Sequence, residues 1–380
     1  MSDETEIIIC GDLCPTKDTQ VYFDNNDVDA LFNDILPVFK GADYVLGNLE
    51  FVLSDSPSPI EKSGPVLYGR ENYIDTLKTA GVRAVSLANN HIKDCGEEGI
   101  LSTINSCKRS HVEVFGAGKN TIDARKPLIK IIGGHRIGII AFAEQEFNSA
   151  SETEYGANCL DMLEDFDRLK SLKEDVDYLI VLYHGGIEHF EYPSPLLQKK
   201  CRKFIDKGAD LVTCQHSHCV GTFENYSDGK ILYGQGNTLF GYRHRDDKWN
   251  RGLLIKLRFD SKGVKPHIEL IPIEATCDGV RLMEKSQGKE LLNQLNTRSI
   301  QLGDKSFVAR RWQEFCETRK ELYFPYLFGY SRLLIHINRL TGNSVIRALY
   351  SRRKIRTSLN IVRCESHAEV MTTILEKESE

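Results

Sequence analysis

No apolar run in this 380-residue chain approaches the ~20 residues a helix needs to cross a bilayer, so the sequence offers no membrane-spanning segment. Residues 1–6 are acidic and lack both the basic opening and the apolar core of a secretion signal. Together these absences lead us to expect a cytoplasmic protein. CxxC pairs are also missing, and the eleven cysteines are odd in number and scattered, which argues against a disulfide framework and for a reducing compartment. Cys10, Cys107, Cys201 and Cys214 fall in strand-like or helix-like stretches, where cysteine is a small apolar residue. With 41% hydrophobic and 27% charged residues the composition is that of an ordinary globular chain. Its length is generous for one core, which predicts a main domain plus an appendage.

What is present is a repeated local pattern. Five apolar runs each end in a short polar cluster: Gly11-Asp12, Asn48-Leu49-Glu50, Asn89-Asn90-His91, His184-Gly185-Gly186 and His216-Ser217-His218. A run of β-branched and aliphatic residues ending in Asp, Glu, Asn or His is how a strand delivers a ligand to a sheet edge. Each cluster alone could simply cap its own loop. Three of them, however, follow a helix-like segment with a glycine stop, at Gly41, Gly81 and Gly208. Helix, strand, then polar group is α/β organisation, in which active groups gather beyond the carboxyl ends of strands.

Strand-like and helix-like segments alternate from residue 6 to about 275. Helices are predicted over 28–40, 70–80, 97–110, 162–175 and 195–207. Later strands are predicted over 112–115, 128–132, 136–142, 230–233, 252–259 and 267–273, several of them hairpin-like. The expected architecture is therefore an α/β fold with two mixed sheets packed face to face and flanked by helices, as a domain over 1–275. Residues 276–380 read as a basic, aromatic-rich helical extension. Residues 305–363 hold 13 Lys plus Arg against 3 Asp plus Glu, so with a whole-chain charge of −5 the remainder sits near −15. Trp312, Phe315, Tyr323, Phe324 and Tyr326 lie in this stretch, ahead of Arg352-Arg353-Lys354-Ile355-Arg356. Basic residues beside aromatics suit an anionic polymer or membrane surface. They suit equally well a region that packs onto an acidic main domain. No nucleic-acid partner is expected.

Asp12, Glu50, Asn90, His184, His216 and His218 offer two carboxylates, one amide oxygen and three imidazoles. A single tetrahedral zinc cannot use that many ligands. Two ions about 3.5–4 Å apart, bridged by one carboxylate, use them better, and such a pair makes a nucleophile of hydroxide at neutral pH. His91, beside Asn90, is placed to be the general acid that protonates a leaving group. Its alternative is a core histidine bonded to a backbone carbonyl.

Asp12, Asn90-His91, His184 and His216-Ser217-His218, in that order, resemble the calcineurin-like metallophosphoesterase superfamily. More specifically the chain is similar to its capsule and poly-γ-glutamate synthesis branch, the CapA family. Further stretches carrying the likeness are Asn48-Leu49-Glu50, Ala88-Asn89-Asn90-His91 with Asp94, Phe115-Gly116-Ala117-Gly118, Gly208-Ala209-Asp210-Leu211 and Tyr233-Gly234-Gln235-Gly236-Asn237. The resemblance implies a four-layer sandwich with two divalent ions, Mn, Fe or Zn, at the strand ends. Asp12 would bind the first ion and Glu50 would bridge. Asn90, His184 and His216 would hold the second, and His218 would return to the first. Cys14, Asn48, Asp94, Glu188 and Asn237 are carried over as additional or supporting residues. Arg243 and Arg251 are candidate contacts to an anionic substrate.

Three positions depart from the superfamily pattern. Cys14 stands where a histidine usually follows the first aspartate, Gln215 replaces a glycine, and Glu50 replaces a bridging aspartate. Unless Cys14 supplies a thiolate, the first ion is short of a ligand, and only one ion would then be held. The expected activity is metal-dependent hydrolysis of a phosphoester, or of another ester-like or amide bond, in an anionic polymer or its phosphorylated precursor. The alternative is a weakly catalytic or non-catalytic metal-binding assembly factor. The basic extension, where it does not pack onto the main domain, would supply peripheral membrane or capsule-assembly contact.

Overall fold

The computed structural model describes residues 4–260, 263–327, 329–345 and 351–379. In chain order its strands are β1 (Glu4–Leu13), β2 (Tyr44–Leu49), β3 (Val52–Leu53), β4 (Tyr68–Gly69), β5 (Ala84–Ser86), β6 (Glu113–Phe115), β7 (Ala117–Gly118), β8 (Leu128–Ile132) and β9 (His135–Ala143). They continue with β10 (Gly156–Ala157), β11 (Tyr178–His184), β12 (Leu211–Gln215), β13 (Phe223–Tyr226), β14 (Gly229–Leu232), β15 (Asn237–Leu239), β16 (Arg251–Asp260), β17 (His267–Ala275) and β18 (Val280–Leu282). The larger sheet has the order β18-β17-β16-β1-β2-β5-β6, with β15 alongside the end of β1, and the smaller has the order β13-β14-β12-β11-β9-β8. Both are mixed: β1, β2, β5 and β6 run parallel while β16 to β18 are antiparallel, and β9, β11, β12 and β14 are parallel between antiparallel edges.

Alternation along β11 shows how the layers stack. Tyr178, Ile180 and Leu182 enter a core that also contains Ile7, Ile9, Val45 and Leu254 of the larger sheet. Their neighbours Leu179, Val181 and Tyr183 face the opposite way, onto Leu197, Cys201 and Phe204 of the helix Pro195–Asp206. Period-two alternation between two apolar surfaces is what a doubly covered strand requires, so it reads as one continuous apolar run. Phe204 stacks on Phe142 with centroids 5.5 Å apart and is fully buried, so Phe204→Ala should cost about 3–5 kcal/mol. Helices Tyr73–Ala80 and Gly96–Arg109 bury Leu77, Ile100 and Cys107 in the core of the larger sheet. The result is the expected four layers, helix, sheet, sheet, helix.

Local rules account for several element ends. Gly81, at φ +118°, closes Tyr73–Ala80, and Ser194 caps Pro195–Asp206 by accepting from the Leu197 amide, with proline in the first turn. The helix expected over 28–40 is instead interrupted: Val28–Phe32, a 3-10 turn Asn33–Ile35, then Leu36–Gly41. Asn33 takes φ +44°, and its side chain donates to the carbonyls of Ala30 and Val280, while Asp34 accepts from the Leu282 amide. Contacts to β18, remote in sequence, break the helix. Strands β13, β15 and β18 lie outside the expected set, since each is short and stands on the edge or end of a sheet.

The chain separates into two compact units, 1–312 and 313–380. Helix Lys285–Gln301 belongs to the first unit and buries Leu291 and Leu295 in the core of the larger sheet. Described helices of the second include Arg332–Leu340, Arg352–Arg363 and Glu365–Ser379.

Candidate metal centre

Strand register brings the polar clusters together. Asp12 on β1 pairs with Asn48 on β2, Asn48 with Ser86 on β5, and His184 on β11 with Gln215 on β12. Each chemically active residue thus sits at or just past the carboxyl end of a parallel strand, on facing edges of the two sheets. The register of β1 shifts between Ile9 and Asp12, freeing its tip to pair with Asn237 on β15. Gly11 permits this: a Cβ there would lie 2.3 Å from the Gly236 carbonyl oxygen.

Two groups of side chains converge, and Glu50 belongs to both. Glu50, His184 and His216 form one and Asp12, Glu50 and His218 the other, with ligand atoms inside each group within 4.8 Å of one another. All five residues are buried. Asn90 lies beside the first group, its Oδ1 2.9 Å from His184 Nε2. The ring of His184 stands 4.9 Å from that of His216, centroid to centroid.

Glu50 is fully buried, yet neither carboxylate oxygen has a hydrogen-bond partner; buried Nδ1 of His216 likewise has none. Native proteins rarely leave a buried carboxylate without partners, because the desolvation is then uncompensated. Burial, and next the Asp12 carboxylate, hold Glu50 well above its ordinary 4.5. Asp12 is raised too, by burial, against the opposing hydrogen bonds from Asn48 and the His216 amide. Burial and the neighbouring imidazoles, His216 first, push His184 far down, while burial takes His218 to about 3. Neutral imidazoles facing crowded carboxylates form a donor set poised for cations. The residues therefore fit divalent cations, with Glu50 in reach of both groups.

A shell of amides orients these groups. Asn48 Nδ2 donates to Asp12 Oδ1 at 2.9 Å and lies 3.1 Å from His184 Nδ1, while Asn89 Nδ2 donates to Asn48 Oδ1 at 3.1 Å. The His216 amide donates to Asp12 Oδ2 at 3.0 Å. His216 and His218 have φ of +82° and +52°, left-handed values uncommon for non-glycine residues, and such strain concentrates at functional sites. Asn237 Oδ1 is 2.9 Å from His218 Nδ1, and Asn237 Nδ2 donates to the Trp249 carbonyl. His91 donates from Nδ1 to Asp94 Oδ2 at 2.7 Å and directs Nε2 toward Glu50, 3.9 Å away.

The remaining candidates are dispersed. Cys14 is buried and donates its thiol to the Pro15 carbonyl at 3.4 Å; burial first, then Glu50, Asp12 and Asp94, push its pKa far up, against a thiolate. Glu188 is exposed, 3.9 Å from His189 Nε2. Arg243 stacks on the ring of Trp249, which stands 4.5 Å from His218, so this arginine is within one ring of the centre. Arg251 pairs with Asp247 and lines a cavity of about 30 Å³ with Glu191, Lys248 and Arg298.

Sequence reasoning missed Trp249, Phe240 and Lys62. Trp249 and Phe240 wall His218, with centroids at 4.5 and 4.9 Å. That Trp249 is one of only two tryptophans, inside a basic loop, was an unused signal. Lys62 lies in an irregular polar loop with no pattern to mark it, yet its ammonium pairs with Asp94.

The chain is similar to several known proteins. A curated capsule biosynthesis protein CapA of Bacillus anthracis is 27% identical over 259 residues, covering 66% of this chain and 62% of that protein, so the match stops short of two thirds of its length. The PGA biosynthesis protein CapA of Bacillus subtilis (strain 168) is 24% identical over 299 residues, 75% of this chain and 77% of that one. A solved 5'-nucleotidase precursor from Thermus thermophilus is similar at a TM-score of 0.40 and 16% identity, over 77% of this chain and 58% of that chain, too distant to add weight. The sequence model described as bacterial capsule synthesis protein PGA_cap matches residues 6–242, which contain every residue of the two converging groups, and the chain belongs to that family.

Proposed function

We propose that this protein is a metal-dependent hydrolase working in the synthesis of a capsule or a poly-γ-glutamate-like anionic polymer, on a phosphoester of the polymer or of its precursor. The observation that carries this reading is Glu50, a buried carboxylate with no hydrogen-bond partner that belongs to both ligand groups. Asp12, Glu50 and His218 would hold one ion, and Glu50, Asn90, His184 and His216 the other. When bound, such ions lower the pKa of water and neutralise charge on a phosphoryl group. His91, anchored by Asp94, holds a proton on Nε2 for the leaving oxygen. Burial of the ligands keeps bulk water from screening the developing charge. Arg243, stacked beside His218 through Trp249, supplies a cation for the anionic substrate.

Metal analysis of protein purified without chelators should give close to two ions per chain. Hydrolysis of generic phosphomonoesters and phosphodiesters should then fall about 10²–10⁴-fold in His91→Ala. Two ions with no hydrolysis above His91→Ala and His216→Ala controls would sink the hydrolase reading for those substrates. One observation favours a second reading, a metal-binding assembly factor: the buried Cys14 thiol points to the Pro15 carbonyl and its pKa is pushed far up, which disfavours a thiolate where the superfamily pattern has an imidazole. Under that reading, metal analysis gives one ion or none.

Partner contact is assigned to the second unit. Helix Arg352–Arg363 carries Arg352, Arg353, Lys354, Arg356 and Arg363 with no acidic residue, and exposes Ile355, Leu359 and Val362 at helical spacing. A basic amphipathic helix of this kind fits an anionic membrane surface. Sedimentation with anionic liposomes, weakened by Leu359→Asp and by salt, tests the assignment; equal binding to neutral liposomes would reject it.

A further inference from the structure

Asp94, the anchor of His91, is also the hub of a buried cluster whose lysine the proposed chemistry leaves unexplained. Its Oδ2 accepts from His91 Nδ1 at 2.7 Å and from the Leu67 amide at 2.6 Å, and its Oδ1 is paired with the Lys62 ammonium. The Asp94 carbonyl also accepts from the Ile60 amide at 2.9 Å. Only 2% of the Lys62 side chain and 1% of that of Asp94 are exposed. Lys62 Nζ further donates to the Asn90 carbonyl at 3.4 Å and lies 3.4 Å from His91 Nδ1. Ile60, Lys62 and Leu67 all belong to the irregular segment between β3 and β4, so three of its residues are fastened to the turn that carries Asn90 and His91.

A lysine is seldom buried, and a buried ion pair is a poor way to gain stability. Its better attested use is to fix one geometry. Here the fixed geometry is that of the imidazole. With Oδ1 occupied by the ammonium, Asp94 can present only Oδ2 to His91, which selects the rotamer and holds the ring with Nε2 toward Glu50, 3.9 Å away.

We infer that Lys62 is a positioning residue for His91, acting through Asp94, and that it matters most for substrates whose leaving group needs a proton. This inference rests on the proposed hydrolase reading. In the step concerned, the phosphorus–oxygen bond to the leaving group breaks and its electron pair stays on that oxygen. The His91 Nε2 proton goes to the same oxygen, leaving a neutral imidazole whose remaining proton is on Nδ1 facing Asp94. Water supplies the new oxygen on phosphorus and gives up one proton to solvent, and solvent returns a proton to Nε2.

Leaving groups separate positioning from general structural damage. 4-Nitrophenolate departs without a proton, whereas the alkoxide of glycerol 3-phosphate does not. Lys62→Met should lower phosphate release from glycerol 3-phosphate at least tenfold more than from 4-nitrophenyl phosphate, with metal content unchanged. Lys62→Arg, which keeps a cation opposite Asp94, should recover most of the difference. The second readout needs no activity: in ¹⁵N-histidine-labelled protein the His91 Nδ1 proton, identified by its loss in His91→Ala, should appear far downfield. It should vanish or move in Lys62→Met and persist in Lys62→Arg. Equal losses on both esters, or an unmoved Nδ1 proton in Lys62→Met, would overturn the inference. If the wild type hydrolyses neither ester the hydrolase reading fails, while the proton resonance still decides whether Lys62 positions His91.

Discussion

Replacing Glu50 with glutamine separates a metal ligand from a structural acid by the sign of its effect. A structural glutamate would stabilise the fold through its hydrogen bonds, but both Glu50 oxygens lack a hydrogen-bond partner, the nearest imidazole nitrogens being His184 Nε2 at 3.6 Å and His91 Nε2 at 3.9 Å, and the Asp12 carboxylate crowds it. A buried group left unsatisfied costs about 1–3 kcal/mol, and more when charged. Glutamine keeps the shape and removes the charge, so metal-free Glu50→Gln should be more stable than metal-free wild type at pH 8, by about 1 kcal/mol or more. The pH dependence has a definite sign. Because Glu50 is raised above 4.5, its contribution favours the fold below that value and is lost as pH rises through the folded-state pKa. The advantage of the variant should therefore grow from pH 5 to pH 8. Adding Mn²⁺ or Zn²⁺ at a hundredfold excess over the dissociation constant stabilises wild type by ~2.7 kcal/mol. For a unit of 312 residues that is a rise in midpoint of about 4 °C. The variant should lose most of that rise. Thermal unfolding of both proteins, with chelator and with metal, measures all four quantities. If Glu50→Gln destabilises the chelated protein at every pH and keeps the metal-induced rise, the two-ion reading of Glu50 is wrong.

Four further outcomes follow from the same geometry. The Cys14 thiol should resist alkylation in native protein at pH 8, and Cys14→Ser should keep its metal content, as mass spectrometry and elemental analysis would report; fast labelling would contradict the burial that raises its pKa. His218, at about 3 in the fold against 6.5 free, contributes stability that is full above 6.5 and is lost as pH falls from there toward 3. Chelated His218→Gln should accordingly show a flatter loss of stability than wild type across that window in urea titrations. Trp249→Ala should cost about 3–5 kcal/mol and lower metal affinity as well, because it removes the wall behind His218; unchanged affinity would show that the wall does not hold the ligand.

Sequence alone determined the kind of fold and where along the chain its polar strand ends fall. Apolar runs ending in Asp12, Asn48, Glu50, Asn90, His184, His216 and His218 could be read because a parallel strand buried on both faces must be continuously apolar, and its polar end must lie at the sheet edge. Glycine stops at Gly81 and Gly208 were legible because only glycine takes those backbone angles cheaply. Only the tertiary structure decided which groups share a ligand, and it set the environment of each. Glu50 proves common to both clusters and without a hydrogen-bond partner, a fact of two sheets meeting rather than of any spacing. Cys14 was the open position of the pattern, and only the fold shows its thiol buried among carboxylates, which push its pKa far up. The break at Asn33 and the reach of Lys62 to Asp94 depend on residues far away in the chain, through contacts with no periodic signature. Local pattern fixes what a strand end carries, because that depends on neighbours in sequence; charge state and partnership depend on desolvation and distance, which exist only once the chain has folded.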